Sequence, residues 1–219
     1  MGGSFSAAGR FPAWRAAAVW AVAAVVLTGA VVLFADRAVS TWSHDVLHRP
    51  AWAVDITKAA KWYVPCGLAI LVLAAALAEK LAGRPLGRLW RAAVAAALAT
   101  LLAAVAVTFV KYGFGRLWPE TWVDKNPSWI GNHAFGFAPF HGGGGYESFP
   151  SGHTARLSAP AAVLWRRIPA FRVLWVLPVL AVIVGLVAAD FHFLGDCVGG
   201  VFLGVLCAWS ILRTLPQGW

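Results

Sequence analysis

The chain has 219 residues, 60% of them hydrophobic and only 12% charged, with 18 Lys and Arg against 9 Asp and Glu and a formal net charge of +9. An ordinary soluble domain is roughly a quarter charged. A mean hydropathy of +0.72 therefore excludes a disordered chain, and also a soluble globule that hides its apolar residues inside. A helix needs about 20 mostly apolar residues to cross a bilayer. In chain order such runs fall at 16–35, 59–78 and 91–110, then at 152–168, 171–189 and 196–213. The fourth is shorter than the rest and contains Arg156. The first is longer than the apolar stretch of a cleavable signal peptide and is read as a span. No internal repeat or low-complexity linker divides the chain. The expectation is an all-α, polytopic six-transmembrane-helix bundle forming a single domain over 1–219, with one long outer loop at 111–150.

Lysine and arginine concentrate on the cytoplasmic side of a membrane protein. Arg10, Arg15, Lys80, Arg84, Arg88, Arg91, Arg166, Arg167, Arg172 and Arg213 fall in one alternating set of segments, opposed only by Glu79. The other set holds Arg37, Arg49, Lys58, Lys61, Lys111, Arg116 and Lys125 against Asp36, Asp45, Asp55, Glu120, Asp124, Glu147, Asp190 and Asp196. Both termini are therefore expected in the cytoplasm, and the 111–150 and 190–196 loops on the outer face. The basic excess is a topology signal, and no nucleic-acid partner is expected. Trp14, Trp62, Trp90, Trp165 and Trp175 sit near span ends, where indole rings settle at the headgroup level. Cys66, Cys197 and Cys207 are too few and scattered for a disulfide framework.

Polar residues inside or at the ends of spans carry the functional information. Three clusters share the expected outer face. Lys111 to Pro119 follows the third span and offers Lys111 and Arg116 among close-approach glycines, suited to a phosphate pocket. Pro150-Ser151-Gly152-His153 opens the fourth span with a hydroxyl cap, free first-turn amides and the positive end of a helix dipole. Together these make an anion site. His153 stands there as a proton donor, and Arg156 lies one turn further on nearly the same face. His192 and Asp196, four apart at the start of the sixth span, share a helical face. The carboxylate can fix one imidazole nitrogen and leave the other free as base or nucleophile. Taken singly, each cluster also fits ordinary capping, snorkelling or interfacial hydrogen bonding.

With these motifs in view, the sequence resembles the type 2 phosphatidic acid phosphatase superfamily of integral membrane lipid phosphatases. Lys111 and Pro119 keep the spacing of that family's first motif. Pro150-Ser151-Gly152-His153 matches the second, and His192 and Asp196 end the third. The resemblance implies cleavage of a phosphomonoester or pyrophosphate through a phosphohistidine, without metal or other cofactor. His192 would be the nucleophile, Asp196 its orienting partner and His153 the general acid. Lys111, Ser151 and Gly152 would hold phosphate oxygens. Two family arginines are missing, with Trp118 standing at one position and Gly185-Leu186 where the third motif has Ser-Arg. Arg116 and Arg156 are the expected replacements.

The expected partners are membrane lipids and a lipid phosphate substrate: a phospholipid, lipid A or a polyprenyl lipid. A bacterial inner membrane with the site on its periplasmic face fits that setting. A lipid phosphotransferase using the same phosphohistidine is one alternative. A catalytically silent lipid-binding or transport protein is another. The aromatic loop at 120–150, with Phe135, Phe137 and Phe140, reads equally as a lid over lipid tails or as an anchor to the bilayer. His133 and His141 lack partners at metal spacing, His44 and His48 lack a third ligand, and no metal is expected.

Overall fold

The computed structural model describes residues 13–123 and 125–216. Arg10, Asp124 and the Trp14 side chain, which entered the charge and interface expectations, lie outside what is described. The described residues are helical, with α1 at Ala13–Phe34, α2 at Asp36–Leu47, α3 at Ala51–Ala59, α4 at Tyr63–Leu81 and α5 at Arg88–Phe114. They continue with α6 at Trp129–Asn132, α7 at Gly152–Arg167, α8 at Arg172–Ala188 and α9 at Leu194–Thr214. The six expected runs correspond to α1, α4, α5, α7, α8 and α9. Among the described residues, five segments are long and apolar enough to cross a membrane, with α3 and α4 together forming one of them at Ala51–Leu81. The remaining expected span, the fourth in the chain, is α7, which has 16 residues, about 24 Å of helix, short against a hydrocarbon core of about 30 Å. Its flanks explain the low hydropathy: α7 lies between α5 and α9 and buries Thr154, Arg156 and Ser158 rather than showing them to lipid.

Small residues allow this packing. Ala95, Ala96, Ala99 and Ala103 of α5 meet Ala159 and Val163 of α7 and Cys207 and Ala208 of α9. Lipid tails are as apolar as leucine, so helices gain from close contact more than from hydrophobicity. Gly200 and Gly204 carry the closest approach. A Cβ on Gly200 would stand 2.6 Å from the Ser151 carbonyl, and one on Gly204 would stand 2.5 Å from the Ala155 carbonyl. The N-termini of α7 and α9 are consequently side by side.

Two helices, α2 and α3, occupy a stretch expected to be loop. α2 is amphipathic. Its buried residues are Asp36, Ser40 and Ser43, and the Ser43 hydroxyl donates to the Val187 carbonyl at the end of α8 (2.9 Å). α3 packs on α8, where Gly185 sits against Ile56 and the Ala53 carbonyl. The position at which the family carries a motif-three serine is here a helix contact.

Candidate active site

The site begins where α5 ends. Gly115 adopts a left-handed conformation (φ +58°) and donates its N–H to the Lys111 carbonyl (2.8 Å). A Cβ there would collide with the Ala138 carbonyl at 1.8 Å, so only glycine fits. This turn leaves Lys111 on the last turn of α5 and sends Arg116 inward.

Arg116 is fully buried, at 0% exposure. Its Nη2 donates to Asp36 Oδ2 (2.7 Å) and its Nη1 to Asp196 Oδ1 (2.5 Å). Phe135, Phe137 and Phe193 enclose the guanidinium, with ring centroids 5.2, 5.0 and 4.5 Å from Cζ. Asp36 also accepts the Gly195 amide (2.6 Å) at the start of α9. The expectation that Arg116 binds phosphate is thus corrected in its geometry: two carboxylates take its terminal nitrogens, and it stands behind the site. Asp36, counted in the sequence only as an outer acid, is the member of this ion triad that sequence reasoning missed.

Asp196 is the hub of the arrangement. Besides Arg116, its carboxylate accepts the Ser148 hydroxyl (2.6 Å), the Phe193 amide (3.0 Å) and Nδ1 of His192 (3.3 Å). The Phe193 contact is the back-reaching half of a capping box, which fixes the first turn of α9. Its own carbonyl accepts the Ser151 amide (2.9 Å), which joins the N-termini of α7 and α9. Ser148 is a second residue the motifs did not reveal.

Asp196 holds Nδ1 of His192, which leaves Nε2 as the second ring nitrogen. The residue is 4% exposed. The Phe191 and His192 amides donate to the Leu186 carbonyl (2.9 and 3.3 Å), so the turn before α9 hangs from the end of α8. Leu186 itself is apolar core, packed with Ala60, Val182 and Cys197. The position offers only its backbone, where the family offers an arginine side chain. The His153 ring lies 6.2 Å from that of His192, and the Trp118 ring 5.1 Å from it. Trp118 is steadied by its indole N–H, which donates to the Gly144 carbonyl (2.7 Å). Lys111 Nζ lies 5.2 Å from the Trp118 centroid and also donates to the Glu147 carbonyl.

The Ser151 hydroxyl accepts from the Thr154 amide and hydroxyl (3.4 and 3.1 Å) and so caps α7. An α-helix supplies no acceptor for the first-turn amides of Gly152 and His153. Arg156 folds back over them. A Cβ on Gly152 would come within 2.8 Å of its Nη1 and 3.1 Å of its Nη2. The side chain is buried, its Nε has no partner, and no carboxylate among the described residues pairs with it. A buried, unpaired guanidinium against a helix N-terminus calls for an anion.

Of the expected site residues, the structure gathers His192, Asp196, His153, Lys111, Ser151, Gly152 and Arg156 around one locus and sets Arg116 behind it. A family model for the PAP2 superfamily matches residues 92–218, more than half of the chain, and it contains all of these residues. The chain belongs to the PAP2 superfamily. Among solved structures, its fold matches the crystal structure of a transmembrane PAP2-type phosphatidylglycerolphosphate phosphatase from Bacillus subtilis. That match has a TM-score of 0.55 at 18% identity and covers 92% of this chain and 98% of that one. No curated protein matches the sequence. Membership and the apolar helices make this an integral membrane protein of the PAP2 phosphatase family.

The other histidines of this PAP2 member have separate surroundings. His44 Nδ1 meets Asp190 Oδ2 (2.9 Å), and this carboxylate pushes its pKa up. His133 packs on Trp129 and His141 on Tyr146. The loop phenylalanines divide: Phe135 and Phe137 are packed against Phe193 and Phe149, whereas Phe140 is 69% exposed against Tyr112.

Gly152 offers a discriminating substitution. Gly152→Ala would displace the flexible end of Arg156 without touching a helix backbone. The protein is expected to fold normally and to lose 10- to 100-fold in kcat/KM, about the value of one charge-assisted contact. Steady-state phosphate release alongside a melting curve checks this, and Arg156→Leu should give a similar loss.

Proposed function

We propose that the chain is a lipid phosphatase that cleaves a phosphomonoester or pyrophosphate through a phosphohistidine on His192. The observation that carries this reading is the buried His192, with Nδ1 on Asp196 and with His153 and the N-terminus of α7 beside it. The substrate phosphate sits against the Gly152 and His153 amides, with Arg156, Lys111 and the Ser151 hydroxyl around its oxygens. Arrayed donors in a water-poor pocket stabilise the charge that develops in the transition state. The Nε2 lone pair attacks phosphorus as the ester P–O bond breaks, and His153 gives its proton to the leaving oxygen. Water, deprotonated by His153, then attacks the phosphohistidine, freeing phosphate and restoring His192. Asp196 keeps Nδ1 protonated and steadies the charge on the ring.

This role for Arg156 replaces half of the charge lost at Trp118 and Leu186. Arg116 acts one step back: by ordering Asp196 it orders His192. Orthovanadate-sensitive phosphate release from phosphatidic acid, phosphatidylglycerol phosphate, lipid A and undecaprenyl pyrophosphate tests the reading and ranks the substrates. Release that depends on an added lipid or sugar alcohol would instead identify a phosphotransferase. Vanadate-insensitive release would overturn the phosphohistidine.

Burial pushes the His192 imidazole below its usual range, although the Asp196 carboxylate opposes the shift. The nucleophile must be neutral at Nε2, and a lowered pKa keeps it neutral at more acid pH. The acid limb of kcat/KM is therefore expected to bend below about pH 6.5, the ordinary histidine value. A pH–rate profile with its acid limb above that value would remove this assignment.

A further inference from the structure

A second polar locus lies at the opposite ends of α7 and α9. A cleft of about 1360 Å³ opens between α8 and α9 beside the C-terminus of α7. Its mouth carries Arg166, Arg167, Arg172 and Arg213, and no acidic residue among the described residues lines it. Arg172 stacks on Trp165 (5.2 Å) and Arg213 on Trp209 (4.7 Å), so two guanidiniums are held at the rim by indole faces. Val176 and Ile183 of α8 and Val201 and Val205 of α9 form apolar walls above them. From Arg172 to Ile183 the cleft follows about 16 Å of helix, close to half of a hydrocarbon core of about 30 Å.

Basic residues at one membrane face follow from topology alone. Two further features do not. The walls stay apart along α8 and α9, although α7 touches both helices closely. In addition, Ser158 lines the cleft, is 3% exposed, and has a buried hydroxyl with no hydrogen-bond partner. A buried donor without a partner is costly.

We infer that this cleft is a binding site for an anionic phospholipid, distinct from the catalytic locus. The phosphodiester lies among Arg166, Arg172 and Arg213. One acyl chain runs between α8 and α9, past the level of Ser158. Anionic charge satisfies the arginines, the chain fills the apolar gap, and the lipid ties α8 to the α7–α9 pair. A neutral phospholipid would satisfy the gap and bring no counterion to Arg166, Arg172 and Arg213.

The test uses the full chain, delipidated in detergent and then offered phosphatidylglycerol, phosphatidylcholine or inorganic phosphate, with retention read by native mass spectrometry. Phosphatidylglycerol should be retained at least 10-fold better than phosphatidylcholine, and inorganic phosphate should not be retained. Retention should fall to the phosphatidylcholine level both in Arg166→Gln/Arg172→Gln/Arg213→Gln and in Ile183→Trp, which fills the gap without altering charge. A His192→Ala variant should retain the lipid, which separates this site from the catalytic one. Equal retention of the two lipids would overturn the inference. So would loss in the glutamine variant with full retention in Ile183→Trp, because that pattern describes a diffuse charge at the rim and no seated chain. Loss in His192→Ala would assign the lipid to the catalytic locus and overturn it as well.

Discussion

His192→Ala is expected to abolish phosphate release, by about 10⁴-fold or more, while the melting temperature stays close to that of the unaltered protein. Nucleophile removal has that scale when the other groups act only through it. Without the ring, which bonds Asp196 and the Ser148 backbone, Asp196 still holds Arg116, the Ser148 hydroxyl and the Phe193 amide, so the network behind it stays intact. Asp196→Asn should behave differently. That carboxylate also holds Arg116, Ser148 and the first turn of α9, so activity and melting temperature should fall together. Rapid denaturation during turnover should trap phosphoryl-protein in the unaltered chain and in Gly152→Ala, and none in His192→Ala. Residual release above a tenth of the normal rate in His192→Ala would exclude this histidine as the nucleophile.

The contrast between these two residues shows what was legible in the sequence. His192 and Asp196 are four apart on one helix start, so their pairing follows from local geometry. The pairing of Asp36, Arg116 and Asp196 joins residues 80 apart in sequence at each step, and no local pattern encodes it. Arg116 lies within a motif that faces phosphate in the family. The helix-ending Gly115 turns it the other way, and that turn depends on a close approach to Ala138. Arg156 was legible for the opposite reason: an arginine inside an apolar run is costly unless it meets an anion. The five apolar spans followed from hydropathy alone. α2 did not, because its polar Asp36, Ser40 and Ser43 face the protein rather than water, which inverts the pattern by which amphipathic helices are read. Leu186 and Trp118 mark where the family pattern failed, and there the chain has substituted core packing and an aromatic wall for charge.

Removing the buried cation gives the largest expected change in stability. In Arg116→Leu, the Asp36 and Asp196 carboxylates face each other without their shared partner, a change that costs about 3–5 kcal/mol in buried pairs. For a chain of this size that corresponds to a fall of about 6–20 °C in melting temperature. The loss should depend on pH in a defined direction. Burial already holds the Asp36 carboxyl above its usual range, and Arg116 is the main opposing influence. Without Arg116 the folded-state pKa rises further. A carboxyl whose pKa is higher folded than unfolded favours the folded state most when protonated. Stability is then lost as pH climbs from the unfolded value of about 3.9 through the folded one. The deficit of Arg116→Leu relative to the unaltered protein should therefore be smallest near pH 5 and grow toward pH 8. Arg116→Leu combined with Asp36→Leu should recover part of the loss at pH 8, since it removes one of the two stranded charges and the residues are directly coupled. Melting curves across this pH range for the single and double variants decide the matter. A raised KM with an unchanged melting temperature in Arg116→Leu would return Arg116 to the phosphate, and a pH-independent deficit would show that the carboxylates are not what it restrains.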